Sequence, residues 1–182
     1  MTNLATEDLD AGLDHVRSSP KDAGRVELIV RRPAERQREV LDEARLDRVE
    51  GLVGDSWKVR SSKRNGGRPD LDRQLTVMNA RAAALVAGTA DHAGWAGDQI
   101  YADFDLSAKN IPPGTRLQLG TAVIEVSDAP HRGCAKFSAR FGLDALRFVN
   151  SPAGRELNLR GINTRIVQSG SVRPGDPIRK LV

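Results

Sequence analysis

Residues 129–137, APHRGCAKF, hold the single cysteine of a 182-residue chain, with His131, Arg132 and Lys136 all within three positions of it. Cys134 stands between a glycine and the start of a predicted helix. Cationic neighbours and a helix N-terminus generally favour a thiolate, the form that attacks electrophiles and binds soft metals. Lone cysteines are more often small buried hydrophobes, and the local pattern leaves both readings open. His131 makes the stretch HxxC half of a metal site, but His15 and His92, the other imidazoles, have no ligand-like spacing. With one thiol and no further ligands in register, a closed zinc site is not expected. A Cys–His hydrolase needs only a histidine brought near by the fold, and nothing in the sequence selects for it.

A second candidate is the stretch DSWKVRSSKRNGGR, with Lys58, Arg60, Lys63, Arg64 and Arg68 around two serines and a Gly-Gly pair. Such a segment reads as a loop over 58–73. It forms either an anion cradle of side chains and backbone amides or a solvated surface. It lacks the spacing and the Gly-Lys-Ser/Thr ending of a P-loop. Asp55 and Asp98 each follow a glycine, as turn-forming aspartates do. With Asp103 and Asp105 they offer no carboxylate pair spaced for acid–base work. Trp57 and Trp95 read as core or pocket wall.

These residues must be positioned by the rest of the chain. Leu9, Leu13 and Val16 share one face of a predicted helix over 6–17, with Thr6 as its N-cap. RVELIVRRP is strand-like, REVLDEARLDRVEGLVGDSW reads as strand and turn with a helix over its first half as the alternative, and QLTVM is a strand. NARAAALVAG is a helix closed by Gly88. QIYADFDL, TRLQLG and AVIEVS are three short strands, separated at NIPPGT and Gly120. AKFSARFG and DALRFVNSP are two short helices, the first stacking Phe137 on Phe141. The tail RELNLRGINTRIVQSGSVRPGDPIRKL returns to strands. Short strands interleaved with short helices, without regular alternation, predict an α+β, mostly β domain built on a curled sheet or β-barrel. Residues 1–24 read as an N-terminal helical appendage to a domain over 25–182.

Composition narrows the function classes. The net charge of +4 and a pI near 9.6 permit anionic partners. The charges are spread and aromatics make up 4% of residues, too few stacking platforms for a single-strand binder. Nucleic acid is therefore disfavoured, and a small phosphorylated ligand suits the modest surplus. The acidic N-terminus MTNLATEDLDAG has no apolar run, and no stretch has the apolar length of a membrane span. The chain reads as cytoplasmic and not membrane-bound.

Taken in order, GLVGDSW, QLTVMNARAAALVAG, NIPPGTRLQLG, AVIEVSDAPHRGCAKF, FVNSPAGRELNLRGINTRIVQ and GSVRPGDPIRKL resemble a MOSC domain, the module named for the C-terminal part of molybdenum-cofactor sulfurases. The resemblance covers roughly residues 25–182. It implies a mostly β, barrel-like fold with a few helices. It also implies a molybdenum–pterin cofactor (molybdopterin) whose metal is ligated by Cys134, with His131, Arg132 and Lys136 assisting. Lys58 and Arg60 would contact the pterin's phosphate. No pyridoxal phosphate is expected. The activity implied is oxidoreductase chemistry on the N–O bond of a small N-hydroxylated substrate, with electrons from a separate reductase. Other members of the family imply a sulfur carrier, with a persulfide on Cys134 loaded by a cysteine desulfurase. A non-catalytic binding domain with an inert Cys134 is the third reading. The stretch WAGDQIYADFD departs from the Arg–x–Asn pattern that many relatives carry before the central strand. The N-terminal β-domain of the amidoxime reducers and a fused ferredoxin or flavin domain are not read in this sequence.

Overall fold

The computed structural model describes residues 4–181, apart from the side chains of residues 62–64 and 90. The chain opens with helices α1 (Thr6–Ala11) and α2 (Leu13–Arg17). Strands β1 (Ala23–Arg31), β2 (Glu39–Val40), β3 (Ala44–Asp47) and β4 (Gly51–Leu52) lead to helix α3 (Trp57–Arg64). Strand β5 (Leu75–Asn79), helix α4 (Ala80–Ala87), a 3-10 turn (Ala90–Ala96) and β6 (Ile100–Asp103) form a crossover unit. Strands β7 (Arg116–Leu119) and β8 (Ala122–Val126) precede helices α5 (Ala135–Asn150) and α6 (Pro152–Glu156). Strands β9 (Ile162–Gln168), β10 (Gly170–Val172) and β11 (Pro177–Lys180) close the chain.

Seven strands form a closed barrel in the order β11-β7-β8-β9-β5-β6-β1, completed by the β1–β11 pairing. Closure leaves no open sheet edge among these seven. Strands β5 and β6 are the parallel pair, Val77 opposite Ile100, and a parallel pair needs the helical crossover that α4 supplies. Strands β3, β4 and β10 make a separate small sheet. Alternation along the strands sorts two cores. Ile29, Val77 and Ile100 point into the barrel, whereas Val30, Met78 and Tyr101 point outward under the helices. That is why β5 is buried at every position. Leu9, Leu13 and Val16 join the same outer cluster as Phe137 and Phe141.

The predicted barrel with short helices is the observed architecture. The break between the two short helices after Cys134 falls at Gly142, whose φ of 87° and ψ of 171° lie in a region essentially reserved for glycine. Phe137 and Phe141 stack as expected, with ring centroids 5.0 Å apart.

Local expectations needed correction at four places. The segment read as a loop from residue 58 begins as helix α3. Asp55 Oδ1 accepts from the Trp57 amide (2.8 Å) and caps it, Trp57 is buried, and lysine and arginine are good helix formers. The Gly66–Gly67 pair, both at positive φ, follows it. Thr6 is the first residue of α1 and not its cap: Ala5 holds the cap position without a side-chain bond. The single predicted helix over 6–17 is divided at Gly12. Finally, the tail begins with α6, which Ser151 caps through its Oγ and Pro152 starts, so strand β9 waits until Ile162.

Candidate functional site

Cys134 is the N-cap residue of α5, with extended backbone, and its thiol is exposed. The thiol is therefore not the buried core cysteine that a lone cysteine more often is. Its position is held from behind. The amide of Gly133 donates to Asn150 Oδ1 (3.0 Å), and Asn150 Nδ2 donates back to the Gly133 carbonyl (3.2 Å). A Cβ at residue 133 would stand 2.8 Å from Leu146 and 2.9 Å from Val149. A larger residue there would require the side chains of Leu146 and Val149 to shift. The bend at Gly142 brings that half back to meet it.

The thiol opens onto a cleft of about 990 Å3. Among the described residues, six arginines line it, Arg32, Arg36, Arg38, Arg60, Arg140 and Arg160, together with Lys136, against a single carboxylate, Glu35. These residues come from the segment after β1, from α3 and α5, and from the segment before β9.

Two buried aspartates hold the arginines in place. Asp55 accepts a fork from Arg32, Nε to Oδ2 at 2.9 Å and Nη2 to Oδ1 at 3.0 Å, and also the Arg32 amide at 2.9 Å. Arg60 Nη2 reaches the same carboxylate at 3.5 Å. Asp98 accepts from Arg160 Nη1. Three consecutive carbonyls complete the frame. Trp95 accepts from Arg140, Ala96 from Arg160, and Gly97 from Arg32, at 2.7, 3.1 and 2.6 Å respectively. A Cβ at residue 97 would have guanidinium nitrogens of Arg140, Arg160 and Arg38 at 3.4, 3.8 and 3.9 Å. Tyr101 Oη fixes this turn, accepting from the amides of Gly97 and Asp98 and donating to the Gly94 carbonyl.

The concentration of positive charge is incompletely answered. Arg38 Nε and Arg160 Nε are buried and without a hydrogen-bond acceptor among the described residues. Burial and the neighbouring Arg140 and Arg32 pull the Arg38 guanidinium below its ordinary pKa. Such a set of fixed guanidinium groups suits phosphate or another multivalent anion.

His131 also lines the cleft, its Nδ1 3.4 Å from Asp98 Oδ1. Burial, then the charge of Arg160, push its pKa down to about 4, against the opposing pull of Asp98. His131 is therefore a neutral imidazole near pH 7, and the cation expected beside Cys134 is supplied by the arginines instead. The pH dependence follows from the sign of that shift. Between the ordinary value of 6.5 and about 4, the unfolded chain binds the proton that folded His131 refuses. The stability tied to neutral His131 is full above that window and is lost as pH falls through it. The loss reaches about 3 kcal/mol. Denaturant unfolding from pH 7.5 down to pH 4 should show the wild type losing about that much more stability than His131→Gln. Equal losses would assign the dependence to other groups.

Of the residues singled out in the sequence, Cys134, His131, Lys136 and Arg60 meet at the cleft. Lys136 also binds Glu35 at 3.0 Å. Arg132 is exposed and is not among the lining residues. Lys58 extends to Glu50 at 2.5 Å, away from the cleft. Arg68 is exposed and likewise outside the lining, and the side chains of Lys63 and Arg64 lie outside the described residues. Sequence reasoning missed Arg32, Arg38, Arg140 and Arg160, and gave Asp55 and Asp98 only a turn-forming role. Arginines scattered singly along a chain carry no local signal. The two Gly-Asp pairs were the one visible hint.

The pattern that defines the MOSC domain matches residues 54–179. No curated protein matches the chain. Among solved structures, the YuaD protein of Bacillus subtilis superposes with a TM-score of 0.62 at 15% identity, covering 86% of this chain and 94% of its own. YiiM of Escherichia coli gives 0.58 at 19% identity, covering 87% and 70%. YiiM of Geobacillus stearothermophilus gives 0.54 at 16% identity, covering 90% and 75%. At these identities the likeness is one of fold.

Proposed function

From the premise that this chain belongs to the MOSC domain family, a family associated with molybdenum-cofactor binding, we propose that its basic cleft holds a molybdenum–pterin cofactor and that it reduces N–O bonds in small N-hydroxylated substrates. The observation that carries the reading is an exposed thiol opening onto a cleft with seven cationic side chains and one carboxylate. The residues present fit the group. A thiolate is a ligand suited to a soft metal, which gives Cys134 the metal. The buried, acceptor-less Nε atoms of Arg38 and Arg160 are what a bound phosphate would satisfy. Arg32 and Arg160, locked by Asp55 and Asp98, would hold that anion without rearranging.

When bound, the cofactor supplies the electron pair that breaks the N–O bond, replenished by a separate reductase. The substrate nitrogen and the departing hydroxyl each take up a proton, and the hydroxyl leaves as water. Both protons come from solvent in the open cleft; His131, neutral and with Nδ1 3.4 Å from Asp98 Oδ1, is a polar wall of the cleft and not their donor. The arginines also offset negative charge that builds on the departing oxygen.

The test is molybdenum and pterin content per chain, in protein purified without oxygen from a host that makes the cofactor, followed by reduction of hydroxylamine-type substrates with an electron donor. Stoichiometric metal and pterin with turnover are expected. Metal and pterin without turnover would leave a cofactor carrier. Neither metal nor pterin would move the exposed Cys134 to the sulfur-carrier role. A desulfurase would then add one sulfur to its thiol.

A further inference from the structure

A second cavity, of about 450 Å3, adjoins the basic cleft and shares Arg38 and Trp95 with it. Its volume falls within the roughly 300–1,000 Å3 of small-molecule sites. Its walls are apolar: Leu28 and Val30 from β1, Val40 from β2, Ala80 and Ala84 from α4, and Ala93 from the 3-10 turn. The remaining lining includes two carboxylates, Asp91 and Glu27, the latter paired with Arg25 at 3.0 Å, and the guanidinium of Arg38. The two cavities thus have opposite charge balance, and the side chains between them form the boundary. Arg38 lies over the Trp95 ring, 5.8 Å from its centroid. Trp95 is 41% exposed, high for so large an apolar side chain.

We propose that this cavity is a binding site for an organic cation with an aryl or branched alkyl body and an ammonium-type head. Small alanine and glycine positions on α4 and the 3-10 turn leave room for a flat apolar group against Leu28 and Val30. Burial of that group supplies affinity. Asp91 and Glu27 favour a positive head and disfavour a carboxylate of the same shape. Trp95 supplies an aromatic face on which an aryl body or a cation can rest. The pocket stands on its own lining. Its role as the place that selects apolar-bodied substrates, with their reactive end directed past Arg38 into the basic cleft, rests on the reduction proposed above.

Phenethylamine is the probe, with phenylacetate as its anionic counterpart, on the full chain as purified. Trp95 is the reporter, since Trp57 is buried at 4% exposure and Trp95 is not. Saturable binding of phenethylamine with a change in Trp95 fluorescence is expected, and phenylacetate should not compete for it. Ala84→Phe, which fills the pocket, should weaken binding about tenfold or more. Asp91→Asn, an exposed change that leaves the core intact, should weaken it about two- to fivefold. Cys134→Ser should bind phenethylamine as the wild type does. Absence of saturable binding, equal affinity for phenylacetate, or unchanged affinity in Asp91→Asn would each overturn the assignment. Failure of the cofactor reading is seen separately, in protein that binds phenethylamine but carries no molybdenum or pterin.

Discussion

On the cofactor reading proposed above, replacing Cys134 by serine should remove molybdenum from the protein and leave the fold intact. The loss follows from donor chemistry. A soft metal is held by a thiolate, and a serine hydroxyl is a hard donor that stays protonated near neutral pH. The fold survives because of where the residue sits. Cys134 occupies the N-cap position of α5 with φ −130° and ψ 177°, and its side chain makes no capping bond. Serine at such a position accepts a hydrogen bond from an amide two or three residues on and stabilises a helix by about 0.5–1 kcal/mol. The variant should therefore unfold at the same denaturant concentration as the wild type or slightly above it. Elemental analysis reads the metal, and urea unfolding reads the fold. Metal retained at the wild-type level in Cys134→Ser would remove Cys134 from the ligand role.

Asp55→Ala should destabilise the protein by about 3–5 kcal/mol, the range for breaking a buried ion pair from one side. The Asp55 carboxylate is fully buried and answers the Arg32 fork and the Arg32 amide. It also accepts the Trp57 amide at the start of α3. Alanine leaves the Arg32 guanidinium, 9% exposed, with the Gly97 carbonyl as its remaining acceptor among the described residues. The same change uncaps α3. An exposed pair such as Arg17–Asp14, by contrast, contributes below about 1 kcal/mol. Denaturant midpoints at constant slope would measure both. A loss below about 1 kcal/mol in Asp55→Ala would mean that water or a rearranged Arg32 compensates the charge.

The strand segments, the alanine-rich helix closed by Gly88 and the divided helix after Cys134 were legible because each rests on neighbours along the chain. Alternation, helical spacing and glycine placement act over a few residues. Helix α3 was misread because its charge suggested a loop, while the features that make it helical were the Asp55 cap and the burial of Trp57. Of these, the cap residue was visible and its engagement was not. The cysteine turn stood out as a candidate, since a lone thiol beside a histidine and cations is visible in any sequence, but the exposure of the thiol was not legible. The neutrality of His131 was not, because it comes from burial and from Arg160, twenty-nine residues further on.

The family resemblance, the barrel class and the lone thiol can all be read along the chain, because they depend on residue order and short-range spacing. The tertiary structure alone decided what surrounds that thiol. Arg32 meets Asp55 across 23 positions, Arg160 meets Asp98 across 62, and Arg140 meets Trp95 across 45. None of these separations has a period that local structure could impose. They close only when β1, α5 and the turn before β6 are brought together by barrel closure. A basic cleft is therefore a property of the folded surface, built from arginines that mean little one at a time.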